Sequence, residues 1–135
     1  MISGIDHVAL ITANMKATVH FYRDLLGLPL ILKASSPNIK HYNFRCGENV
    51  VAFFQYLDKE PAPHPPRPHT PGPHAPHGAD HLALRIENES DFNQMVNRLE
   101  DAAIELRGPI DHGTAMSVYF LDNNGIALEL TVPKG

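Results

Sequence analysis

The chain has 135 residues, of which 19% are charged, and its formal net charge is −4 with neutral histidines. This length fits one compact domain, or two small modules that share a core. Without a run of lysine or arginine, a nucleic-acid-binding surface is not expected. No stretch approaches the roughly 18–20 apolar residues of a membrane span, and membrane binding is not expected either.

The first residues have neither the basic region nor the apolar core of a signal peptide. Cys46 is the only cysteine, so an internal disulfide is excluded. Both features favour a reducing compartment, and we expect a cytoplasmic protein.

A short motif occurs twice. Residues 4–10 read Gly-Ile-Asp-His-Val-Ala-Leu, and residues 78–84 read Gly-Ala-Asp-His-Leu-Ala-Leu. Side chains alternate between the two faces of a strand. Each copy therefore presents one histidine, His7 or His81, on the less apolar face of its first strand, and we expect two duplicated modules.

The first module, residues 1–57, is expected to have the order β-α-β-β-β. Asn14 is suited to cap a helix whose apolar residues recur at helical spacing, and Gly27 is suited to end it. The expected elements are a strand at 4–12, a helix at 15–26 and strands at 28–34, 39–45 and 48–56.

Residues 58–78 form the expected connector between the modules. Eight of the twelve prolines and four of the nine histidines lie within 61–77. Proline fixes φ and lacks an N–H donor, so an extended, solvated segment is expected rather than a helix or an inner strand.

The second module, residues 79–135, repeats the order. Ser90 is the expected cap of a helix in which Phe92 and Met95 belong to the apolar face. Asp122 to Gly125 has the composition of a hairpin turn. The expected strands lie near 79–86, 106–110, 116–121 and 126–132.

The last strand carries a candidate metal ligand. Glu129 lies between leucines in this strand, where a carboxylate needs a partner because an unpaired buried charge is costly. His7, His81 and Glu129 occupy corresponding faces of the two modules. Two imidazoles and one carboxylate suit Fe(II) or Mn(II) and leave positions open for a substrate, although zinc and nickel also accept these ligand types.

Three stretches resemble the vicinal oxygen chelate superfamily, which includes glyoxalase I, bleomycin-resistance proteins, fosfomycin-resistance enzymes and extradiol dioxygenases. They are the Asp-His-x-Ala-Leu strand openings, residues 21–30 and residues 119–130. The resemblance implies an α+β fold with two βαβββ modules whose curved mixed sheets surround a divalent metal. It also implies that His7, His81 and Glu129 are the metal ligands.

The end of the first module bears on the choice within this superfamily. Superposing the module ends places Phe53 opposite Glu129, where glyoxalase I would carry a further acidic ligand. Phenylalanine cannot bind a metal. Gln55, on the same face, is an alternative ligand at this place, but the loss of the carboxylate counts against a glyoxalase. We expect both side chains to contact a substrate. The ligand set therefore resembles that of extradiol dioxygenases and fosfomycin-resistance enzymes.

Residues 110–129 are similar to the ring-cleavage dioxygenase signature, in which a histidine and a tyrosine precede a turn and the metal-binding glutamate. His112 and Tyr119 match that histidine and tyrosine, and we expect them to be catalytic, as a proton donor or as hydrogen-bond donors to a developing oxyanion. Asn123 departs from the signature, which usually has proline at this place.

One face of the third strand offers polar contacts for a substrate. His41, Asn43 and Arg45 alternate with Tyr42 and Phe44 and so share this face. The guanidinium of Arg45 is suited to an anionic group.

The leading hypothesis is a metal-dependent, extradiol dioxygenase-like enzyme for a small, vicinally oxygenated, catechol-type substrate. The first alternative is a glyoxalase-like lyase or a fosfomycin-resistance-like thiol transferase with the same triad. The second is a metal-free small-ligand binding protein of the bleomycin-resistance type. The resemblance also implies a homodimer whose site is shared between chains.

Overall fold

The computed structural model describes residues 1–60 and 78–135. These residues form two compact units, of which the first precedes and the second follows residues 61–77 in the sequence. Most of the expected connector, residues 61–77, lies outside the described residues. In the described part of the chain, no helix has the length and apolar character needed to cross a membrane.

The first unit is a four-stranded mixed sheet with one helix. Its strands have the spatial order β1-β4-β3-β2, and β1 runs parallel to β4. The helix α1 continues directly into a π-helical segment. The elements are β1 (His7–Ile11), α1 (Met15–Val19), the π-helical segment (His20–Leu25), β2 (Leu30–Ser35), β3 (Ile39–Cys46) and β4 (Asn49–Tyr56).

The second unit repeats this arrangement. Its strands have the order β5-β8-β7-β6, and β5 runs parallel to β8. The elements are β5 (Leu82–Arg85), α2 (Glu89–Asp101), β6 (Arg107–Asp111), β7 (Ala115–Leu121) and β8 (Ala127–Pro133). Two βαβββ modules with mixed sheets confirm the predicted fold class.

The helix caps agree with the sequence in one module and differ in the other. The side-chain oxygen of Asn14 accepts a hydrogen bond from the backbone N–H of Ala17, as predicted. In the second module the prediction of Ser90 is wrong, because Asn88 is the cap and accepts from the N–H of Asp91 at 2.8 Å. Asn88 has extended backbone angles, whereas Ser90 already lies within the helix.

Each sheet has one apolar face. In the first unit, Tyr22, Phe44 and Phe53 are fully buried, and the ring centroids of Tyr22 and Phe53 lie 4.7 Å apart. Burying such a side chain contributes about 1.5–3 kcal/mol. In the second unit, Phe92 of α2 and Leu128 of β8 belong to the core. Because strand side chains alternate, the opposite face of each sheet carries the polar residues.

Candidate metal and substrate site

Two predicted metal ligands meet on the polar face of the second sheet. Nε2 of His81 lies 3.0 Å from Oε1 of Glu129. Metal bonds to nitrogen or oxygen are about 2.0–2.2 Å long, so two ligands at right angles on one ion lie about 3.0 Å apart. The two atoms are within hydrogen-bonding distance of each other, and their separation also equals that of neighbouring ligands on one metal.

Further side chains orient this pair. Nδ1 of His81 donates to Oδ1 of Asp80 at 2.9 Å, which leaves Nε2 directed at Glu129. The hydroxyl of Ser117 donates to Oε2 of Glu129 at 2.7 Å, which leaves Oε1 directed at His81. Ser117 is fully buried and pairs with Thr131. Thr131 follows Glu129 on the same face of β8. Partners of this kind fix the direction of a metal ligand.

The two predicted catalytic residues share a hydrogen bond. Nε2 of His112 lies 2.8 Å from the hydroxyl of Tyr119. Tyr119 pairs with Glu129 across β7 and β8, and its ring stands edge-on to that of His81. Burial raises the pKa of Tyr119, and the negative charge of Glu129 raises it further. A phenol in this environment stays protonated at neutral pH and is available as a hydrogen-bond donor.

Both oxygens of the Asp111 carboxylate accept hydrogen bonds that hold the turn carrying His112. Oδ1 of Asp111 accepts from the N–H of Gly113, and Oδ2 accepts from the amine of Lys134, each at 2.7 Å. These hydrogen bonds lower the pKa of Asp111, with that from Lys134 first. They connect the turn to the end of the last strand.

The third predicted ligand, His7, opens β1 in the first unit. Its Nδ1 donates to Oδ2 of Asp6 at 2.8 Å, which repeats the bond between His81 and Asp80. The two pairs differ in solvent exposure, because the side chains of Asp6 and His7 are 97% and 55% exposed, and those of Asp80 and His81 are 32% and 26% exposed.

A cavity of about 200 Å³ lies on the polar face of the first sheet, beside His7. The rings of His41 and Phe54 stack in its wall with centroids 4.3 Å apart and planes 9° from parallel. Asn43 also lines the cavity, and its buried Oδ1 has no hydrogen-bond partner. Such an acceptor is costly unless a ligand or water supplies a donor. Arg45 lies on the same face and pairs with Val50, the strand partner of His7.

The predicted superposition of the module ends is wrong by one residue. Ala83 pairs with Glu129 in the second unit, whereas Ala9, its equivalent in the repeat, pairs with Ala52. Phe53 therefore faces the core, where it is fully buried and has no access to a ligand. Since alanine cannot bind a metal either, the first sheet still lacks a counterpart of Glu129.

The side chain of Gln55 has a structural role, because both of its polar atoms form hydrogen bonds to the backbone. Its Oε1 accepts from the N–H of Met15 at 2.9 Å, and its Nε2 donates to the carbonyl of Ala13 at 3.1 Å. The side chain thus joins β4 to the start of α1. No local sequence pattern predicts this contact, because the two segments are about 40 residues apart in the chain.

Several residues that shape the site were not predicted. Asp6 and Asp80 precede the histidines in both copies of the repeat, so the repeat itself contained the signal for them. Ser117 lies two residues before Tyr119, and strand alternation assigns it to the same face. In the observed register, Phe54 rather than Phe53 lies on the face that carries the cavity.

The three predicted ligands are distributed over both units, with His7 in the first and His81 and Glu129 in the second. Across residues 1–60 and 78–135, no three side chains of histidine, cysteine, aspartate or glutamate are close enough together to hold a metal ion. The second unit thus brings two candidate ligands to the spacing of neighbouring ligands on one metal.

The sequence matches the model of a known protein family. The model of the Glyoxalase/Bleomycin resistance protein/Dioxygenase superfamily matches residues 4–130. No curated protein sequence matches the chain.

Solved structures have the same fold. A glyoxylase/bleomycin resistance protein/dioxygenase domain from Frankia sp. EAN1pec superposes with a TM-score of 0.82 at 18% identity, over 99% of this chain and 94% of that chain. The fosfomycin resistance protein FosX from Listeria monocytogenes gives 0.69 at 20% identity, over 99% and 96%. The antibiotic binding protein TnmS3 from Streptomyces sp. CB03234 gives 0.70 at 14% identity, over 98% of each. At such identities these likenesses show the fold alone.

Proposed function

The chain belongs to the Glyoxalase/Bleomycin resistance protein/Dioxygenase superfamily, and from this we propose that it is a metal-dependent enzyme of the extradiol dioxygenase kind. Its substrate would be a small molecule with two adjacent oxygens, such as a catechol. Members of the superfamily bind small molecules, commonly use divalent metals and often form dimers. The contact between His81 and Glu129 is the observation that carries the proposal.

His81, Glu129 and His7 would hold the metal, with Fe(II) or Mn(II) preferred by this ligand set. The 3.0 Å separation of Nε2 and Oε1 supports two of these assignments. When bound, a divalent ion supplies Lewis acidity to the two substrate oxygens. The assignment of His7 is supported by its Asp6 partner, which orients Nε2 as Asp80 does for His81.

The protein's own proton chemistry would be carried by His112 and Tyr119. A protonated phenol beside Glu129 donates a hydrogen bond to an oxygen on which negative charge develops. His112, whose Nε2 lies 2.8 Å from that hydroxyl, would hold it in this orientation by donating a hydrogen bond to its oxygen. This pairing favours the dioxygenase hypothesis, since the ring-cleavage dioxygenase signature also has a histidine and a tyrosine before the metal-binding glutamate.

The cavity of the first unit would hold the body of the substrate. The stacked rings of His41 and Phe54 offer a flat apolar wall, and Oδ1 of Asn43 offers an acceptor for a hydroxyl or amine. Arg45 would contact an acidic substituent. These contacts suit a planar molecule with at least one hydrogen-bond donor.

A fosfomycin-resistance-like transferase would need a cluster of cations near the metal ligands, whereas only Arg45 shares the face of His7. Lys33 pairs with Tyr42, which faces away from His41 and Asn43. Lys40 shares the face of Tyr42, so both lysines lie on the face opposite His7. A glyoxalase-like lyase is disfavoured by Ala52, which occupies the place of the additional acidic ligand.

The metal-free binding protein is the second candidate. It is favoured by the stacked rings of His41 and Phe54, which offer a planar ligand a flat contact surface that needs no metal. A His7→Ala variant that keeps full affinity for a flat aromatic ligand would support it.

The test is anaerobic reconstitution with Fe(II), followed by metal analysis and by oxygen uptake on a panel of catechols. We expect stoichiometric metal, oxygen consumption and the absorbance of ring-cleavage products. Glu129→Gln should lose both metal and activity, whereas His112→Gln should keep the metal and lose activity. Absence of bound metal and of oxygen uptake in the wild type would contradict the proposal.

We further propose a homodimer whose site is shared between chains. Light scattering at micromolar concentration should give twice the mass of 14.9 kDa. The mass of a single chain under these conditions would contradict this assembly.

A further inference from the structure

The side of the first sheet that faces α1 carries a second cavity. It has a volume of about 440 Å³ and lies between α1 with its π-helical segment and strands β2 and β3. Small-molecule sites commonly have about 300–1,000 Å³. It lies on the opposite face from His41 and Asn43, because Tyr42, which lines it, alternates with them along β3.

Basic side chains line this cavity from two directions. From the helix side come Lys16, His20 and Arg23, whose spacing of four and three residues gives one stripe on a helical surface. From the sheet side come Lys33 and Lys40, which lie beside Tyr42 on one face. Four of the eleven lysines and arginines of a chain with net charge −4 thus line one cavity.

One carboxylate lines the same cavity, and it is already engaged. Asp24 accepts from Nε of Arg23 at 2.8 Å and lies 3.4 Å from Nδ1 of His20. Within the described ranges, Lys16, Lys33 and Lys40 form no ion pair with a carboxylate. The amine of Lys33 lies 5.5 Å from the centre of the Tyr42 ring.

Three amines without carboxylate partners around one concave surface focus a positive potential, which concentrates counter-ions. We propose that this cavity binds a small polyanion bearing phosphate groups, such as a nucleoside diphosphate or pyrophosphate. The small volume of the cavity and the acidic balance of the rest of the chain disfavour nucleic acid. Lysine amines and one guanidinium are the usual protein partners of phosphate oxygens.

The test is calorimetric titration of the purified protein with inorganic pyrophosphate and with adenosine diphosphate at low ionic strength. We expect binding that weakens as salt is added. A double variant, Lys33→Gln with Lys40→Gln, should lose at least about tenfold in affinity, because two charge-assisted contacts are removed. Both side chains reach solvent, so the variant should fold, which circular dichroism will check.

Lys59→Gln is the matched control, because Lys59 also lies over a tyrosine ring, at 5.8 Å from Tyr56, but does not line the cavity. It should change the affinity by less than about twofold. Glu129→Gln should leave the affinity unchanged, which separates this site from the proposed metal site.

Three titration results would overturn the proposal. They are no binding of either probe by the wild type, an equal loss in Lys59→Gln, and a loss in Glu129→Gln. Retention of an acidic peptide or of anionic phosphatidylserine vesicles in preference to pyrophosphate would also overturn it, because the cavity would then be part of a larger docking surface.

Discussion

Nε2 of His81 lies 3.0 Å from Oε1 of Glu129, and the far side of each group is held by a different neighbour. Asp80 accepts from Nδ1 of His81, and Ser117 donates to Oε2 of Glu129. The two atoms that face each other are therefore the ones left without another partner among these residues. This arrangement orients both groups before any ion binds, which reduces the ordering that binding must impose.

Asp80→Asn should weaken metal binding by about 10–100-fold, the usual effect of losing a carboxylate behind a histidine ligand. The amide keeps the size of the side chain but removes the negative charge that fixes the tautomer of His81. Competition with a chromophoric chelator for Co(II) measures the affinity without relying on turnover.

Asp6→Asn is the matched comparison, because Asp6 makes the same bond to His7. Its side chain is 97% exposed, whereas that of Asp80 is 32% exposed. Solvent screens the exposed pair more strongly, so Asp6→Asn should have a smaller effect. Equal losses in both variants would contradict this ranking.

Phe53→Ala and Phe54→Ala should separate the core from the site. Phe53 is fully buried, and its truncation should cost about 3–5 kcal/mol in the free energy of unfolding. Phe54 is partly exposed beside His41, and its truncation should cost about 1 kcal/mol. Urea denaturation measures both values. The reverse order would restore the predicted alignment, in which Phe53 contacts a substrate.

The alternation of side chains explains which parts of the site could be predicted. His81 and Glu129 were predicted because each alternates with leucines, and the repeat pointed to one sheet architecture in both modules. The position of Phe53 was predicted wrongly, because the register between β1 and β4 depends on a pairing between distant segments. The module ends alone do not fix that pairing.

Contacts between distant segments account for the other differences. Gln55 binds Met15 and Ala13, and no local pattern in the sequence indicates that β4 passes the start of α1. The cap at Asn88 differs from the predicted Ser90 for a local reason, since both residue types are good caps and only the backbone conformation distinguishes them.

Cys46 should react slowly with thiol reagents. Burial raises the pKa of its thiol, so at a pH near 8 a smaller fraction is thiolate than for an unstructured cysteine, whose pKa is about 8.5. The rate with Ellman's reagent should rise with pH to a midpoint above that value. The same chain unfolded in urea is the control and should have the ordinary midpoint. Identical profiles for the folded and unfolded chains would contradict the expected shift.

Asn43→Leu should stabilise the protein and impair ligand binding. A buried acceptor without a partner costs about 1–3 kcal/mol, and leucine has a similar volume without the polar atom. We therefore expect the free energy of unfolding in urea to increase by about 1 kcal/mol. Affinity for a catechol that is active with the wild type should fall in the same variant, because the acceptor for its hydroxyl is lost. Such opposite effects are typical of a side chain retained for binding rather than for stability. A variant that is less stable than the wild type would show that Oδ1 has a partner in the unliganded protein, and Asn43 would then be a structural residue.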